Sequence, residues 1–334
     1  MKRLILSLIS LAIGVTLFIW LSNSIGWRQI RNILSQLSIF EVIFLIFLSF
    51  LSAFLGVERW RVILAEKGYY FTLKDLFSHY LASFSITYLA PLVIIGGEVF
   101  KGYVLNSRKE NSTSLEKGLG ASFIDGIFEH GSEWIIVALG LFSSFLLVKN
   151  PFSFEQLFVI FIVIFLIVGF SWYILFKKKS LIKLFFGVGE ENQIRRIEKE
   201  ILTFFRIKNK FFQKAIVLSF AKIIVRLFQC WVLVQFLGFH ISIFTALFIL
   251  GASTFFMAPP VSADIGTHDF GSAILFYELG MGQEVGLVFA SIFRVLNLIL
   301  SIFGIFFLIR FGFSFLKEKI LGIIERISLL GFKK

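Results

Sequence analysis

The chain has 334 residues, of which 57% are hydrophobic and only 16% charged, with a mean hydropathy of +0.89. A soluble domain of average make-up carries about 25% charged residues, so a water-soluble core with a polar coat is excluded. The 33 Lys and Arg exceed the 21 Asp and Glu, and in so apolar a chain this surplus points to the cytoplasmic face of a membrane and to anionic lipid, not to nucleic acid.

In chain order, apolar runs long enough to cross the bilayer are expected at about residues 4–22, 39–57, 120–148, 157–176, 215–237 and 285–309. Met1-Lys2-Arg3 before an apolar run has the look of a signal peptide, but no small-x-small cleavage site follows Trp20, so a retained first helix is expected. Two further hydrophobic stretches are interrupted. Residues 76–105 are broken by Pro91 and Gly96-Gly97, and residues 243–279 by Pro259-Pro260 and Gly266.

Charge orients these two stretches, because short cytoplasmic loops collect Lys and Arg. Arg59, Arg61, Lys67 and Lys74 precede the first, and Lys101, Arg108, Lys109 and Lys117 follow it, so both of its ends read as cytoplasmic. No Lys or Arg lies between Arg226 and Arg294, so both ends of the second read as external. Each stretch is therefore a re-entrant hairpin, and the two enter from opposite faces. Only Arg28, Arg31 and Lys149 then fall outside and Lys222, Arg226 and Arg294 within spans, with every other Lys and Arg on the cytoplasmic side, as are both termini.

The expected fold is an all-α polytopic membrane protein of about six transmembrane helices and two opposed hairpins, with the character of an inverted repeat. It forms a single integral membrane domain: a first half over 1–176, a basic amphipathic linker over 177–214, a second half over 215–310 and an amphipathic tail over 311–334. The linker carries an apolar stripe of Ile194, Ile197, Ile201 and Phe204/Phe205 that suits the inner leaflet.

Ionisable side chains inside spans cost roughly 2.5–3.5 kcal/mol each on insertion scales, so they are paired or line a wet cavity. Asp125, Glu129 and Glu133 share a helical face with Ser122 and Ser132; Lys222 and Arg226 share one with Ser219 and Gln229; Arg294 lies with Asn297 and Ser301. These stripes form either a groove whose cations hold an anionic head group or salt bridges that fix packing.

The hairpin tips add backbone chemistry. At Pro91 and Gly96-Gly97-Glu98 a reversal leaves N–H and C=O groups that must meet water or ligand. A half-helix starting there would turn its positive end toward a phosphate, with Glu98 beside it and Lys101 one turn on. The second tip gathers Pro259, Pro260, Ser262, Asp264, Gly266, His268 and Asp269, where the alternatives are a gating role and a simple cap by Ser262 or Asp264. One imidazole with no second His nearby is not a metal site, and Ser262, His268 and Asp269 within one turn cannot align as a catalytic triad. No metal, cofactor or catalytic residue is assigned. Cys230, the single cysteine, lies in an apolar run as a packing residue.

Taken together, Arg59-Trp60-Arg61-Val62-Ile63-Leu64, Pro91 with Gly96-Gly97-Glu98 and Lys101, Pro260 with Gly266 and an acid, and Arg294 in the last span resemble the transmembrane region of the lysylphosphatidylglycerol synthase family. The resemblance runs from about Arg59 to Arg310 and implies a flippase-like prokaryotic protein for lipid or lipid-linked-sugar export. That family usually carries Arg where this chain has Lys101, and Glu-Arg with a following Asp where it has Asp125-Gly126 and Glu129. Its Pro-x-x-Gly-Gly-x-Gly-x-x-Glu tip becomes Ala263-Asp264 at the Gly pair and Asp269 at the Glu. The lysine-transferring module is not expected here, so the enzymatic half of the family name is not carried over.

The leading expectation is a flippase for an anionic lipid or a polyprenyl-phosphate-linked glycan in the cytoplasmic membrane of a prokaryote. The alternatives are an intramembrane enzyme acting on a lipid phosphate or glycolipid, and a non-catalytic membrane partner of a synthase or glycosyltransferase. A homo-oligomer is compatible with either.

Overall fold

The computed structural model describes residues 16, 18–35, 37–90, 96–106, 115–145, 200–206, 208–259 and 261–331, with no side-chain description beyond 311. The spans expected at 157–176 and across most of 4–22, together with Pro91, Pro260, Ile194 and Ile197, lie outside these residues.

Among the described residues the chain is helical throughout and contains no strand. Three helices are long and apolar enough to cross a membrane: Ile39–Glu66, Lys210–Phe236 and Gln283–Phe311. We number the elements α1 (Trp27–Leu34), α2 (Ile39–Glu66), α3 (Leu73–Leu89), α4 (Gly96–Asn106), α5 (Leu115–Ser144), α6 (Lys210–Phe236), α7 (Ile243–Phe256), α8 (Thr267–Glu278) and α9 (Gln283–Gly331). The tail continues α9 without a break as far as Gly331.

The two halves use the same local signals. α2 ends in a Schellman turn, where Gly68 N–H reaches Ala65 C=O and Tyr69 N–H reaches Leu64 C=O; α6 ends identically through Gly238 and Phe239 onto Gln235 and Val234. The φ values of Gly68 (83°) and Gly238 (90°) are left-handed, which is why glycine occupies both sites. Thr72 and Ser242 then cap α3 and α7 by accepting the backbone N–H groups of Asp75 and Thr245. Each half therefore orders a long leading helix, two short helices and a long closing helix, and in the second half an irregular tip joins the short pair.

The short helices are too short to span. At 1.5 Å per residue α3 and α4 are about 25 and 16 Å long and α7 and α8 about 21 and 18 Å, against a hydrocarbon core of ~30 Å. α3 and α4 pair as a hairpin: Lys101 Nζ stands 4.6 Å from the Tyr80 ring, and Gly97 lies against Ser83 and Thr87. Both ends of this hairpin sit at one end of the bundle, since Lys117 at the start of α5 lies over Tyr69 in the α2–α3 turn.

The leading helices run antiparallel. Gln229 on α6 donates to Leu45 C=O and Ser49 Oγ near the start of α2, and Arg59 near the end of α2 meets Ser219. α7 packs on α5 through the facing pair Gly140 and Gly251, and α3 packs on α9, where Ser85 Oγ donates to Ser301 C=O. Each short-helix pair thus leans on the closing helix of the other half.

Two packing differences from the sequence reading have clear causes. Residue 201 and Phe204/Phe205 of the basic linker face the protein: Phe204 is fully buried against Phe128, Phe205 and Phe212, an aromatic cluster that anchors this segment to α5 and α6. Arg59, counted among the loop cations, lies inside α2, which continues to Glu66, and two carboxylates neutralise its buried guanidinium.

Candidate functional site

The ionisable residues of α2, α4, α5 and α6 converge on one buried network. Arg59, only 1% exposed, donates from Nε to Asp125 Oδ1 at 2.7 Å and from Nη2 to Glu129 Oε2 at 2.6 Å. Lys101 Nζ takes the other Asp125 oxygen at 2.8 Å, and Lys222 pairs with the other Glu129 oxygen while also donating to Tyr80 Oη at 3.3 Å. Both carboxylates are therefore saturated, and the spacing of Asp125 and Glu129 by one helical turn lets a single guanidinium bridge them. Lys101 also lies within cation–π range of Trp60 and Tyr80, 5.3 and 4.6 Å from the ring centroids.

Lys101 therefore does not stand before the α4 N-terminus to receive a phosphate. The acid in the first turn of α4 is Glu98, which complements the positive helix end itself. Glu98 is buried, and among the described residues its Oε2 has no hydrogen-bond partner.

Beside the network lies a cavity of about 550 Å³. Its walls come from six helices and the second tip: Ser49 and Ser52 of α2, Tyr80 and Tyr88 of α3, Glu129 and Glu133 of α5, Lys222, Arg226 and Gln229 of α6, Thr254 of α7, Pro259, Val261 and Asp264 of the tip, and Asn297 of α9. The charged groups on this lining differ sharply in their partners. Lys222 is neutralised by Glu129 and Glu133 accepts from His130, whereas among the described residues Arg226 and Asp264 make no ion pair or side-chain hydrogen bond. Arg226 instead faces Glu133 and Asp264 across the wall without a direct contact to either.

The second tip is a single 3₁₀ turn, Ser262–Asp264, in which Ala263 and Asp264 both adopt φ of 54°. Non-glycine residues enter this left-handed region reluctantly, and these are the two positions at which the resembled motif carries its Gly pair. The Ala263 carbonyl holds the turn in place by accepting from Tyr88 Oη of α3 at 3.3 Å and Arg294 Nε of α9 at 3.2 Å. Arg294 further pairs with Asp269, whose Oδ2 also accepts the Gly266 N–H at 2.8 Å.

That contact corrects the expectation of a cap from Ser262 or Asp264: Asp269, reaching back to Gly266, closes the α8 N-terminus. His268 turns away from Asp269 and meets Ser253 Oγ at 2.6 Å on α7, so the serine, histidine and acid of the tip do not form a relay. Arg294 sits behind the tip and does not border the cavity, whereas Lys222 and Arg226 do. Among the described residues no group of three or more His, Cys, Asp or Glu side chains is placed to hold a metal.

Of the sequence-selected residues, Arg59, Lys101, Asp125, Glu129 and Lys222 fall in one network, Arg226, Pro259 and Asp264 on the cavity wall, and Gly266, Asp269 and Arg294 in the tip anchor. Gly96, Gly97 and Glu98 open α4, and Ser262 and His268 occupy the second tip. Sequence reasoning missed Tyr80 and Tyr88. Their signal was present: two tyrosines eight residues apart in a short helix that also carries Ser83, Ser85 and Thr87, each needing a partner for its hydroxyl.

An all-helical bundle with three membrane-length apolar helices and charged groups gathered around a cavity defines a polytopic membrane protein. A family model for the lysylphosphatidylglycerol synthase TM region matches residues 7–304, nearly the whole chain, and the chain belongs to that family. No curated protein and no solved structure matches it.

Proposed function

We propose that this chain is a non-enzymatic translocator that moves an anionic lipid, or a polyprenyl-phosphate-linked glycan, across the cytoplasmic membrane of a prokaryote. The observation that carries the reading is Arg226: a guanidinium with no carboxylate within ion-pair distance among the described residues, facing Glu133 and Asp264 across the cavity, in the middle of a membrane-length helix. A cation held at that depth is expensive unless an anion joins it, and a planar guanidinium suits the oxygens of a phosphate. The apolar flanks of the cavity, among them Leu81, Phe84 and Phe293, suit the first methylenes of a lipid.

The two hairpins supply the route. Re-entrant from opposite faces, with hairpin α3–α4 on the cytoplasmic side and hairpin α7–α8 outside, they meet at mid-membrane, where irregular backbone is tolerated only beside protein or a wet cavity. Both termini are cytoplasmic in this orientation. A membrane synthase or glycosyltransferase fits as the partner that loads the lipid.

The test is leaflet exchange in proteoliposomes containing fluorescent phosphatidylglycerol, phosphatidylcholine or polyprenyl-phosphate analogues. Exchange of the anionic analogues that falls at least about tenfold in Arg226→Ala is expected, since a charged hydrogen bond contributes about 1.5–3 kcal/mol. Absence of exchange for every analogue, or exchange indifferent to Arg226→Ala, overturns the reading.

A further inference from the structure

Each hairpin is fastened to the helix that follows it by one buried ion pair, and the two pairs have opposite polarity. In the first half the hairpin helix α4 contributes the cation and the closing helix α5 the carboxylate, Lys101 to Asp125 across 24 residues of chain. In the second half α8 contributes the carboxylate and α9 the cation, Asp269 to Arg294 across 25 residues. The elements joined are equivalent in the repeated order of helices, and all four side chains are buried. None of the four lines the cavity.

The exchange of charge discriminates between roles. A residue that binds an anionic head group must be a cation wherever it acts, whereas an ion pair that joins two helices works with either polarity, even where, as at Asp125, the carboxylate also serves a further cation. A chain that uses Lys on the hairpin in one half and Asp in the other has the second kind of arrangement. Arg294 also holds the Ala263 carbonyl, so in the second half the same fastening aims the tip at the cavity.

We infer that Lys101–Asp125 and Asp269–Arg294 are one latch used twice with its charges exchanged, and that Lys101 and Arg294 are positioning residues, not lipid ligands. Arg226 is then the lipid-facing cation.

The full-length protein tests this in two readouts, a melting temperature in detergent and the concentration dependence of lipid exchange; only the second rests on the translocation reading. Asp269→Arg and Arg294→Asp each lower the melting temperature and reduce exchange by about tenfold or more, and the double variant, which gives the second half the polarity of the first, melts above both singles and regains part of the exchange, short of wild type because the Gly266 cap and the Ala263 carbonyl bond are not rebuilt. Arg294→Lys, which copies the cation of the first latch, keeps KM within about twofold. A double variant that melts no higher than the singles overturns the latch. So does a double variant or an Arg294→Lys protein of wild-type melting whose KM rises by about tenfold, since Arg294 then touches the lipid. If the wild-type protein moves no lipid, the translocation reading falls and the melting cycle alone decides the latch.

Discussion

Lys222 on α6 and Glu129 on α5 form an ion pair at the edge of the cavity, one helical turn from Arg226, so a directly paired cation and one without a direct ion-pair partner among the described residues stand on the same face of one helix. This contrast separates stability from ligand binding. Removing Lys222 takes a direct ion-pair partner from Glu129, whereas removing Arg226 breaks no ion pair or hydrogen bond among the described residues. Lys222→Ala is expected to destabilise the fold by about 3 kcal/mol, and Arg226→Ala by less than about 1 kcal/mol. Denaturation of both variants in the same micelle checks the order.

Arg59 makes a stronger demand, because its guanidinium serves two carboxylates from different nitrogens. A lysine has one ammonium on a flexible stem and cannot reproduce that fork. Arg59→Lys should recover only part of the stability lost in Arg59→Leu, and Arg59→Leu should cost about 3–5 kcal/mol by leaving Asp125 and Glu129 short of charge. Equal melting of Arg59→Lys and wild type would show that the bridging geometry is immaterial.

How much of this was legible beforehand depends on range. Apolar runs and Gly–Pro breaks are local, so the helices at 39–57, 215–237 and 285–309 and, from about Arg59 to Arg310, the family likeness could be read. The pairing of charges is not local. Asp125 and Glu129 were visible as a stripe, but that Arg59 would bridge them depends on how α2 crosses α5, and a cation near the end of an apolar run resembles a loop residue. In the same way Lys101, selected as a phosphate ligand, is drawn to Asp125 because the short α4 packs directly on α5. Arg226 was selected with Lys222 as one pair; only the positions of the surrounding carboxylates separate the directly paired cation from the other.

Gly140 and Gly251 set the distance between α5 and α7. A Cβ at Gly140 would stand 2.7 Å from the Gly251 Cα, backbone that no rotamer change can move. Gly140→Ala and Gly251→Ala are each expected to cost about 1–3 kcal/mol through overpacking. The two should be less than additive, since the first methyl already pushes the helices apart. Thermal melts of the two singles and the double in detergent measure this.

The second tip offers a prediction of opposite sign. Ala263 occupies a left-handed conformation that costs an L-residue about 1–2 kcal/mol, while glycine gives back about 0.5–1 kcal/mol in unfolded-chain entropy. Ala263→Gly should therefore be neutral or stabilising by up to about 1 kcal/mol, and Ala263→Val, with a branched Cβ in the same conformation, should destabilise by about 2 kcal/mol or more. The Ala263 carbonyl bonds to Tyr88 and Arg294 survive both changes because they use backbone. If the conformation is held for function, Ala263→Gly will loosen the tip and lower lipid exchange while the melting temperature holds or rises. A fall in melting temperature for Ala263→Gly would show that the left-handed turn is not strained.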